Sequence, residues 1–503
     1  MWQALVITHR YLGVAAGALM VMWFLSGIVM MYVGFPRVTE TERVRTLEPI
    51  AWSMCCRSDV RSIAGEDQVL AASVENLGGS PALTLRRPGR PDTTLDLARQ
   101  AVVRVDTAQA QSIARDAAPR ITRWPATPEF TGQIQTDQWT VGRLVRDRPL
   151  FRFALDDPAR TILYVSGTSG RVVHWTTATQ RFWNWLGAIP HWLYFADLRS
   201  DVVMWSEIVI WTSLVGTFLT AIGLYIGISQ LKLRSKGKFS PYRGWFYWHH
   251  MIGLVFGIVT LTWVVSGLIS MNPWGFLESR GSAGAQSRIA GEPLRWDAVR
   301  ASLDEIRAQP AVTDSVRLGA APLADRLYWL VTGRDGDITR VDAAGHPAPL
   351  SATDLAEAAG RISAGAGVTE QGMIDGEDAY YFRRDDALTL PAYRVILGDE
   401  DGTRYYLDAV SGSLLQRADA NARWHRWLFG GLHRIDFTAW MRARPVWDII
   451  VLFLMSGGLA LAVTGFYLAL RRVWSDIVRV VRITSKRTPA PHPATLQSKS
   501  GDR

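Results

Sequence analysis

Four of the nine histidines in this 503-residue chain recur at a nearly constant separation. His9 and His249 are 240 residues apart, and His191 and His433 are 242 residues apart. Imidazole is the only side chain that ordinarily changes charge between pH 5 and 8, and it is the commonest metal ligand in proteins. We therefore expect the two pairs to be where this chain does its chemistry.

The residues around these histidines repeat at the same separations, which predicts a duplicated chain. A shift of 240 gives seven identities in the 23 positions from 9 to 31, namely His9/His249, Gly13/Gly253, Gly17/Gly257, Trp23/Trp263, Ser26/Ser266, Gly27/Gly267 and Met31/Met271. A shift of 242 matches Arg152/Arg394, Tyr164/Tyr406, Ser169/Ser411, Gly170/Gly412, Trp185/Trp427, His191/His433, Phe195/Phe437, Trp205/Trp447, Gly223/Gly465 and Tyr225/Tyr467. Both copies run in the same direction, so they are parallel repeats about an axis along the membrane normal.

Four stretches without charged residues are long enough to cross a bilayer, which takes about 20 residues. They are 11–36, 208–231, 251–277 and 449–470. The first is longer than a signal-peptide core and is read as a retained anchor. The near-zero mean hydropathy, +0.04, is the average of these spans and ordinary soluble segments. This composition excludes a disordered chain.

Positive charge is concentrated in the short connections, which predicts the topology. The segment 232–243 carries Lys232, Arg234, Lys236, Lys238 and Arg243, and the tail after Leu470 has a net charge of +6. By the positive-inside rule, both termini and the short loop are cytoplasmic, and the two long segments lie outside, in the periplasm if this is a Gram-negative bacterium. The overall charge of +9 is then a topology signal, and nucleic-acid binding loses its support.

The predicted fold class is an α-helical membrane protein, a four-span bundle of two parallel repeats with two extracytoplasmic α+β domains. Predicted strands include 150–155, 161–165, 392–397 and 404–407, and predicted helices include 107–118, 296–308 and 352–362. The predicted organisation is helices 1–36, 205–231, 248–277 and 447–470, periplasmic domains 37–180 and 278–422, interfacial aromatic segments 181–204 and 423–446, and cytoplasmic segments 232–247 and 471–503. No nucleotide-binding fingerprint or catalytic triad is visible.

A parallel duplication places His9 opposite His249 on the cytoplasmic side, and His191 opposite His433 on the periplasmic side. Two facing imidazoles in a helix bundle form an axial site for haem iron, which predicts two b-type haems. Gly13, Gly17, Gly253 and Gly257 are predicted to leave room for the macrocycles, or else to serve helix packing. Arg10 and Arg434 are predicted to pair with propionates, with membrane anchoring and a solvated surface as the alternatives. His191 could instead be a hydrogen-bonded histidine in an aromatic belt.

The remaining candidates are weaker. His250 and His425 are possible replacement ligands, and His174, His346 and His492 are predicted to be surface residues. A bridge between the adjacent Cys55 and Cys56 would be strained and reducible. The pair could have a redox role or bind a soft metal such as Cu(I), and the alternatives are an incidental thiol pair or an intermolecular bridge.

Several motifs resemble the bacterial membrane proteins with PepSY domains and PepSY-associated transmembrane helices. They are T-H-R-Y-L-G at 8–13, W-H-H-M-I-G at 248–253, G-G-L-H-R at 430–434, and the domain endings L-Y-V-S-G-T-S-G-R-V-V at 163–173 and Y-Y-L-D-A-V-S-G-S-L-L at 405–415. Members of this family include ferric-siderophore reductases. The resemblance implies haem ligation by His9 with His249 and by His191 with His433.

The resemblance implies an inner-membrane oxidoreductase that carries electrons from a quinol or a cytosolic reductase to a periplasmic ferric chelate. The acceptor it implies is an Fe(III)–siderophore, reduced for iron uptake. The alternative is a membrane-anchored PepSY binding or regulatory protein without redox activity. A metal permease is disfavoured because the predicted spans lack intramembrane carboxylates.

Overall fold

The computed structural model describes residues 2–55, 67–231, 239–279, 281–384 and 387–485. The elements of the first half are α1 (Trp2–Met30), α2 (Glu40–Val44), β1 (Gln68–Val69), β2 (Ala71–Leu77), β3 (Ser80–Arg86), β4 (Thr93–Asp96), β5 (Ala101–Val102), α3 (Thr107–Thr122), β6 (Pro128–Ile134), β7 (Leu150–Leu155), β8 (Ile162–Ser166), β9 (Val172–Thr176), α4 (Ala178–Leu186), α5 (Ala188–Trp192), α6 (Ala196–Ser200) and α7 (Val202–Ser229).

The second half has a closely similar order of elements. They are α8 (Trp245–Ser270), α9 (Ala283–Ala290), β10 (Leu294–Arg295), α10 (Trp296–Ile306), α11 (Pro310–Thr313), β11 (Arg317–Ala320), β12 (Tyr328–Thr332), β13 (Ile338–Asp342), α12 (Ala352–Ser363), β14 (Val368–Ile374), β15 (Ala392–Leu397), β16 (Arg404–Asp408), β17 (Leu414–Ala418), α13 (Ala420–His425), a π-helical turn (Arg426–Gly431), α14 (Leu432–Arg434), α15 (Ala439–Arg442) and α16 (Val446–Ser485). Residues 232–238 of the predicted basic loop and 486–503 of the tail lie outside the described residues.

Helices α1, α7, α8 and α16 are each long and apolar enough to cross a membrane, so the chain is a membrane protein. Their ends differ from the uncharged stretches. Helix α1 begins at Trp2 and therefore includes His9 and Arg10, and α16 continues to Ser485, beyond the predicted span. The added turns of α16 are supported by the Arg472–Asp476 ion pair at 2.8 Å, the i,i+4 spacing that stabilises exposed helix.

The helices and sheets belong to two compact units. Unit 1 comprises Met1–Leu25, Trp211–Val265 and Ile450–Arg503, and therefore contains parts of all four long helices. Unit 2 comprises Ser26–Ile210 and Ser266–Ile449, and contains all the strands.

Two four-stranded antiparallel sheets of unit 2 have the same organisation. Their orders are β6-β7-β8-β9 and β14-β15-β16-β17, with α3 packed on the first and α12 on the second. In both, the register shifts after a buried tyrosine, Tyr164 in one and Tyr406 in the other. Each tyrosine donates to an aspartate, Asp137 at 2.7 Å and Asp378 at 2.8 Å. The predicted α+β character of these regions is confirmed.

A third sheet combines strands from both halves, which the sequence did not predict. Its order is β13-β12-β11-β2-β3-β4-β5, and the halves meet where β2 pairs with β11 in antiparallel register. One apolar core lies beneath it, with Val74 and Leu83 from the first half and Trp329 and Val331 from the second. The two predicted domains are therefore joined by backbone hydrogen bonds and a shared core.

A buried carboxylate lies at this junction. Glu75 on β2 is 4% exposed and pairs with Arg43 at 2.8 Å, Arg171 at 2.8 Å and Arg317 at 3.3 Å. Burial by itself raises the pKa of the Glu75 carboxyl, but Arg171 and Arg43 more than offset it, so this pKa lies below its ordinary value. Arg43 and Arg171 come from the first half and Arg317 from the second, so Glu75 ties the halves together electrostatically.

Replacing Glu75 by Gln is expected to lower the free energy of unfolding by about 3 kcal/mol, because Arg171 loses the carboxylate it pairs with and Arg43 keeps only Glu40. Thermal unfolding of the full chain in detergent, followed by tryptophan fluorescence, measures the loss. Glu357→Gln is the matched control, since it removes only the exposed i,i+4 pair with Arg361.

The Glu75 contribution also has a defined pH dependence. Because the folded pKa is depressed, the contribution is present above about pH 4.5, the ordinary value, and is lost as the pH falls through the folded pKa. The stability gap between the parent and Glu75→Gln should therefore narrow in acid, and a gap independent of pH would contradict the assignment.

Candidate functional site

The structure brings His9 and His249 together within unit 1. His9 lies in α1 and His249 near the start of α8, with ring centres 6.4 Å apart and ring planes at 33°. Both side chains are partly buried among the four long helices. We call these two residues the first pair.

Each ring of the first pair is held by another helix of its own half. The Nδ1 atom of His9 is 3.0 Å from the carbonyl oxygen of Leu219 on α7. The Nδ1 atom of His249 is 3.1 Å from the Thr464 hydroxyl on α16. In each half, the oxygen that holds the ring lies on the second long helix of that half.

Two glycines give these rings the space they occupy. A Cβ added at Gly223 would lie 2.4 Å from Cε1 of His9, and one added at Gly465 would lie 2.9 Å from Cε1 of His249. Only glycine allows the imidazole to approach the facing helix backbone this closely.

His191 and His433 face one another within unit 2, and we call them the second pair. Their ring centres are 6.3 Å apart and their planes are at 63°. The Nδ1 atom of His191 is 3.2 Å from the Ser26 hydroxyl on α1, and that of His433 is 3.1 Å from the Ser266 hydroxyl on α8. Both serines are buried, at 1% and 0% exposure.

Short helices in the two aromatic segments position the second pair. His191 lies on α5, which follows a break at Gly187, whereas His433 lies on α14, which follows the π-helical turn. The segments are tied to the next long helix in the same way: the Trp205 indole donates to the Trp192 carbonyl at 2.9 Å, and the Trp447 indole donates to the Arg434 carbonyl at 2.7 Å.

The glycines predicted to clear space for a cofactor lie instead against other helices. A Cβ at Gly17 would meet Phe466 at 2.9 Å, and one at Gly257 would meet Leu224 at 3.0 Å. The nearest atoms to Gly13 and Gly253 belong to Ala469, at 4.0 Å, and Leu461, at 3.4 Å. These contacts favour the helix-packing alternative.

The two predicted arginines occupy different settings. Arg10 is partly buried on α1, directly after His9. Arg434 is exposed, and its guanidinium lies 5.1 Å from the centre of the Phe429 ring.

His174 is buried, at 5% exposure, so the prediction that it is a surface residue is wrong. It lies on β9 and stacks on Tyr164 with ring centres 5.6 Å apart, because its strand position faces the tyrosine. Burial, with Arg143 nearby, lowers the pKa of His174 to about 4. His346 is exposed as predicted, and His492 lies outside the described residues.

The other candidate ligands do not face a second histidine in the described part of the chain. Both ring nitrogens of His250 are engaged, Nδ1 with the Ser240 hydroxyl and Nε2 with the Gly227 carbonyl, each at 2.8 Å. His425 contacts the Phe429 ring instead. Cys55 is disulfide-bonded, and Cys56 lies outside the described residues, so the metal and redox predictions for this pair stay predictions.

The chain matches the family described as the PepSY-associated TM region over residues 6–472, nearly its whole length. It therefore belongs to this family, as its motifs predicted. No curated protein matches it significantly.

Sequence reasoning missed the groups that hold the imidazoles. Ser26/Ser266 and Gly223/Gly465 were visible as identities in the repeat, but nothing in the pattern related them to the histidines. The signal that could have identified these serines and glycines is that both copies of the repeat contain them, as they contain the histidine pairs.

Replacing Gly223 by Ala is expected to lower the free energy of unfolding by about 1–3 kcal/mol through overpacking against His9. The same change made in a His9→Ala background should cost almost nothing, because the clash is gone. Gly253→Ala is the control, since its new Cβ makes only a 3.4 Å contact. Thermal unfolding of the parent, the two single variants, the double variant and the control tests this, and equal costs of Gly223→Ala in both backgrounds would contradict the contact.

Proposed function

We propose that the protein is a di-haem electron carrier of the bacterial inner membrane, with one haem held by the first pair and one by the second. In this proposal it takes electrons from a cytosolic reductase or the quinol pool and delivers them to a periplasmic ferric chelate, an Fe(III)–siderophore. Two facing imidazole pairs with matching supports carry the proposal.

The ring separations fit two imidazoles that would together hold one metal ion. With metal–nitrogen bonds of about 2 Å, their ring centres would be about 6 Å apart. The observed separations are 6.4 Å and 6.3 Å. Each ring also has its Nδ1 atom next to a hydroxyl or carbonyl oxygen, the outer contact that orients a metal-binding histidine and sets its tautomer.

When bound, the haems would supply one-electron chemistry, and the chain's own residues would hold and tune them. Ser26, Ser266 and Thr464 orient the ligand rings, and apolar helix faces keep water from the sites. Arg10 directly follows the ligand His9 and is proposed to pair with a propionate. Electron transfer of this kind needs no general acid or base.

The charge distribution supports the orientation. We propose that both termini and the basic loop are cytoplasmic and that the segments carrying the sheets are periplasmic, because the short connections are rich in Lys and Arg. The first pair then lies on the donor side and the second on the acceptor side. At the acceptor, one electron converts Fe(III) to Fe(II), which hard oxygen ligands hold less tightly.

Purified protein in detergent is expected to contain about two b-type haems per chain by pyridine haemochrome. His433→Ala and His191→Ala should each remove one haem and leave the other, and His9→Ala should remove the complementary one. His346→Ala, a surface change, is the control. A haem-free protein would contradict the proposal and favour the binding or regulatory alternative. Loss of both haems, or of neither, in one histidine variant would contradict the pairing of the histidines.

Dithionite-reduced protein, freed of excess reductant, should be reoxidised by a ferric siderophore at a rate that rises with chelate concentration. The gallium(III) chelate, which cannot accept the electron, is the matched control. Stopped-flow absorbance of the haem bands follows the reaction. Reoxidation no faster than with the gallium chelate would contradict a ferric acceptor.

A further inference from the structure

Next to the second pair, the second half of the chain contains a cavity of about 240 Å³. It lies between the loop that follows β14 and the aromatic segment 423–446. Its walls include Tyr380, Phe382, His425, Arg426, Phe429 and Arg434. It is therefore aromatic on several sides and carries cationic groups.

The matching region of the first half is filled. Phe35 is 6% exposed and packs against Trp139, Trp192 and Tyr194, with ring centres 6.3, 6.3 and 5.2 Å away. The residues of the second half that match Trp192 and Tyr194 at a separation of 242 are Arg434 and Asp436, which line the cavity. The duplicated regions therefore differ in packing: aromatic rings fill one, and the other is open.

The residues that line the two regions differ in charge. The separation of 242 residues matches Trp192 with Arg434 and Tyr194 with Asp436, so charged groups in the second half replace aromatic rings of the first. Of these two charged residues, Asp436 is buried and ion-paired, whereas Arg434 is exposed.

One cation of the cavity is uncompensated. Arg426 donates to the carboxylate of Asp436 at 3.3 Å, and Arg442 pairs with both Asp436, at 2.6 Å, and Glu377, at 2.7 Å. In the described part of the chain no carboxylate pairs with Arg434, whose guanidinium lies over the Phe429 ring. The cavity thus has net positive charge beside a flat aromatic wall.

The same wall contacts the second pair. Phe429 stacks on His433, with ring centres 5.3 Å apart and ring planes at 27°. The Phe429 ring centre is also 5.4 Å from that of His425. The π-helical turn Arg426–Gly431 carries Phe429, and such turns are frequent at functional sites. The matching residue of the first half is Gly187, so only the second half places a ring between the histidine and a cavity.

We infer that this cavity binds a planar ring bearing one anionic oxygen group, such as an aromatic carboxylate. Arg434 pairs with the anion, and Phe429, Phe382 and Tyr380 contact the ring. The inference rests on the proposed function, where this ring is an arm of the ferric chelate docking beside His433. The acceptor then docks on one half of the duplicated molecule only.

The test is binding of 2,3-dihydroxybenzoate to the full chain in detergent, measured by calorimetry, with the neutral 2,3-dihydroxybenzamide as the charge control. The acid should bind, and the amide should bind about tenfold or more weakly, the loss expected for a charge-assisted hydrogen bond. Arg434→Gln should abolish the difference between the two compounds. Arg115→Gln, an exposed change on α3, should preserve it.

A second variant guards against an indirect effect. Ala422→Leu keeps every charge but adds bulk to a residue that lines the cavity, and it should block the acid. Equal binding of both compounds, or undiminished binding to Ala422→Leu, would overturn the inference.

Haem content is measured on the same samples, so the two proposals fail separately. A haem-free chain that binds the acid contradicts the electron carrier alone, whereas a two-haem chain that does not bind it contradicts the cavity alone. If Arg434→Gln instead alters haem retention and the acid does not bind the parent, the anion at Arg434 is a haem propionate and the inference is wrong.

Discussion

Each paired imidazole is held through its Nδ1 atom by an oxygen on another helix, and the arrangement of both histidine pairs depends on these four contacts. The contacts stay within one half of the chain: α1 to α7, α8 to α16, α5 to α1 and α14 to α8. The ring pairs, by contrast, join the two halves. Each half therefore orients its own two imidazoles, and assembly of the halves completes both pairs.

Other contacts also join the two halves of the chain. Gly17 and Gly257 admit side chains from the opposite half, and the β2–β11 pairing with the Glu75 ion cluster ties the sheet regions together. Duplication supplied two equivalent halves, and the contacts between them are what make one molecule. Where the halves have diverged, as at Trp192/Arg434 and Tyr194/Asp436, the second ring pair and the shared sheet are still formed.

The fold was predictable where local pattern decides it. Uncharged stretches marked the four long helices, and alternation marked strands such as Leu150–Leu155 and Ala392–Leu397, which have the predicted bounds. Helix ends were less accurate: α1 ends at Met30 and not at 36, and α16 continues to Ser485 through charged residues that helical ion pairs and the membrane surface tolerate. The shared seven-stranded sheet escaped prediction since pairing between distant strands has no local signature. His174 was misjudged for the same reason, because its burial depends on a strand partner.

The sequence by itself determined the membrane helices, the duplication, the family and which four histidines belong together. These features depend on the residues within one segment, or on residues that repeat at a constant separation along the chain. Only the tertiary structure decided what holds each imidazole, that Gly223 and Gly465 make room for the rings, and that one half is closed by Phe35 while the other keeps an open cavity. Those features arise from side chains that meet across helices far apart in the chain. Their distances depend on how the helices pack, and packing is a property of the whole assembly.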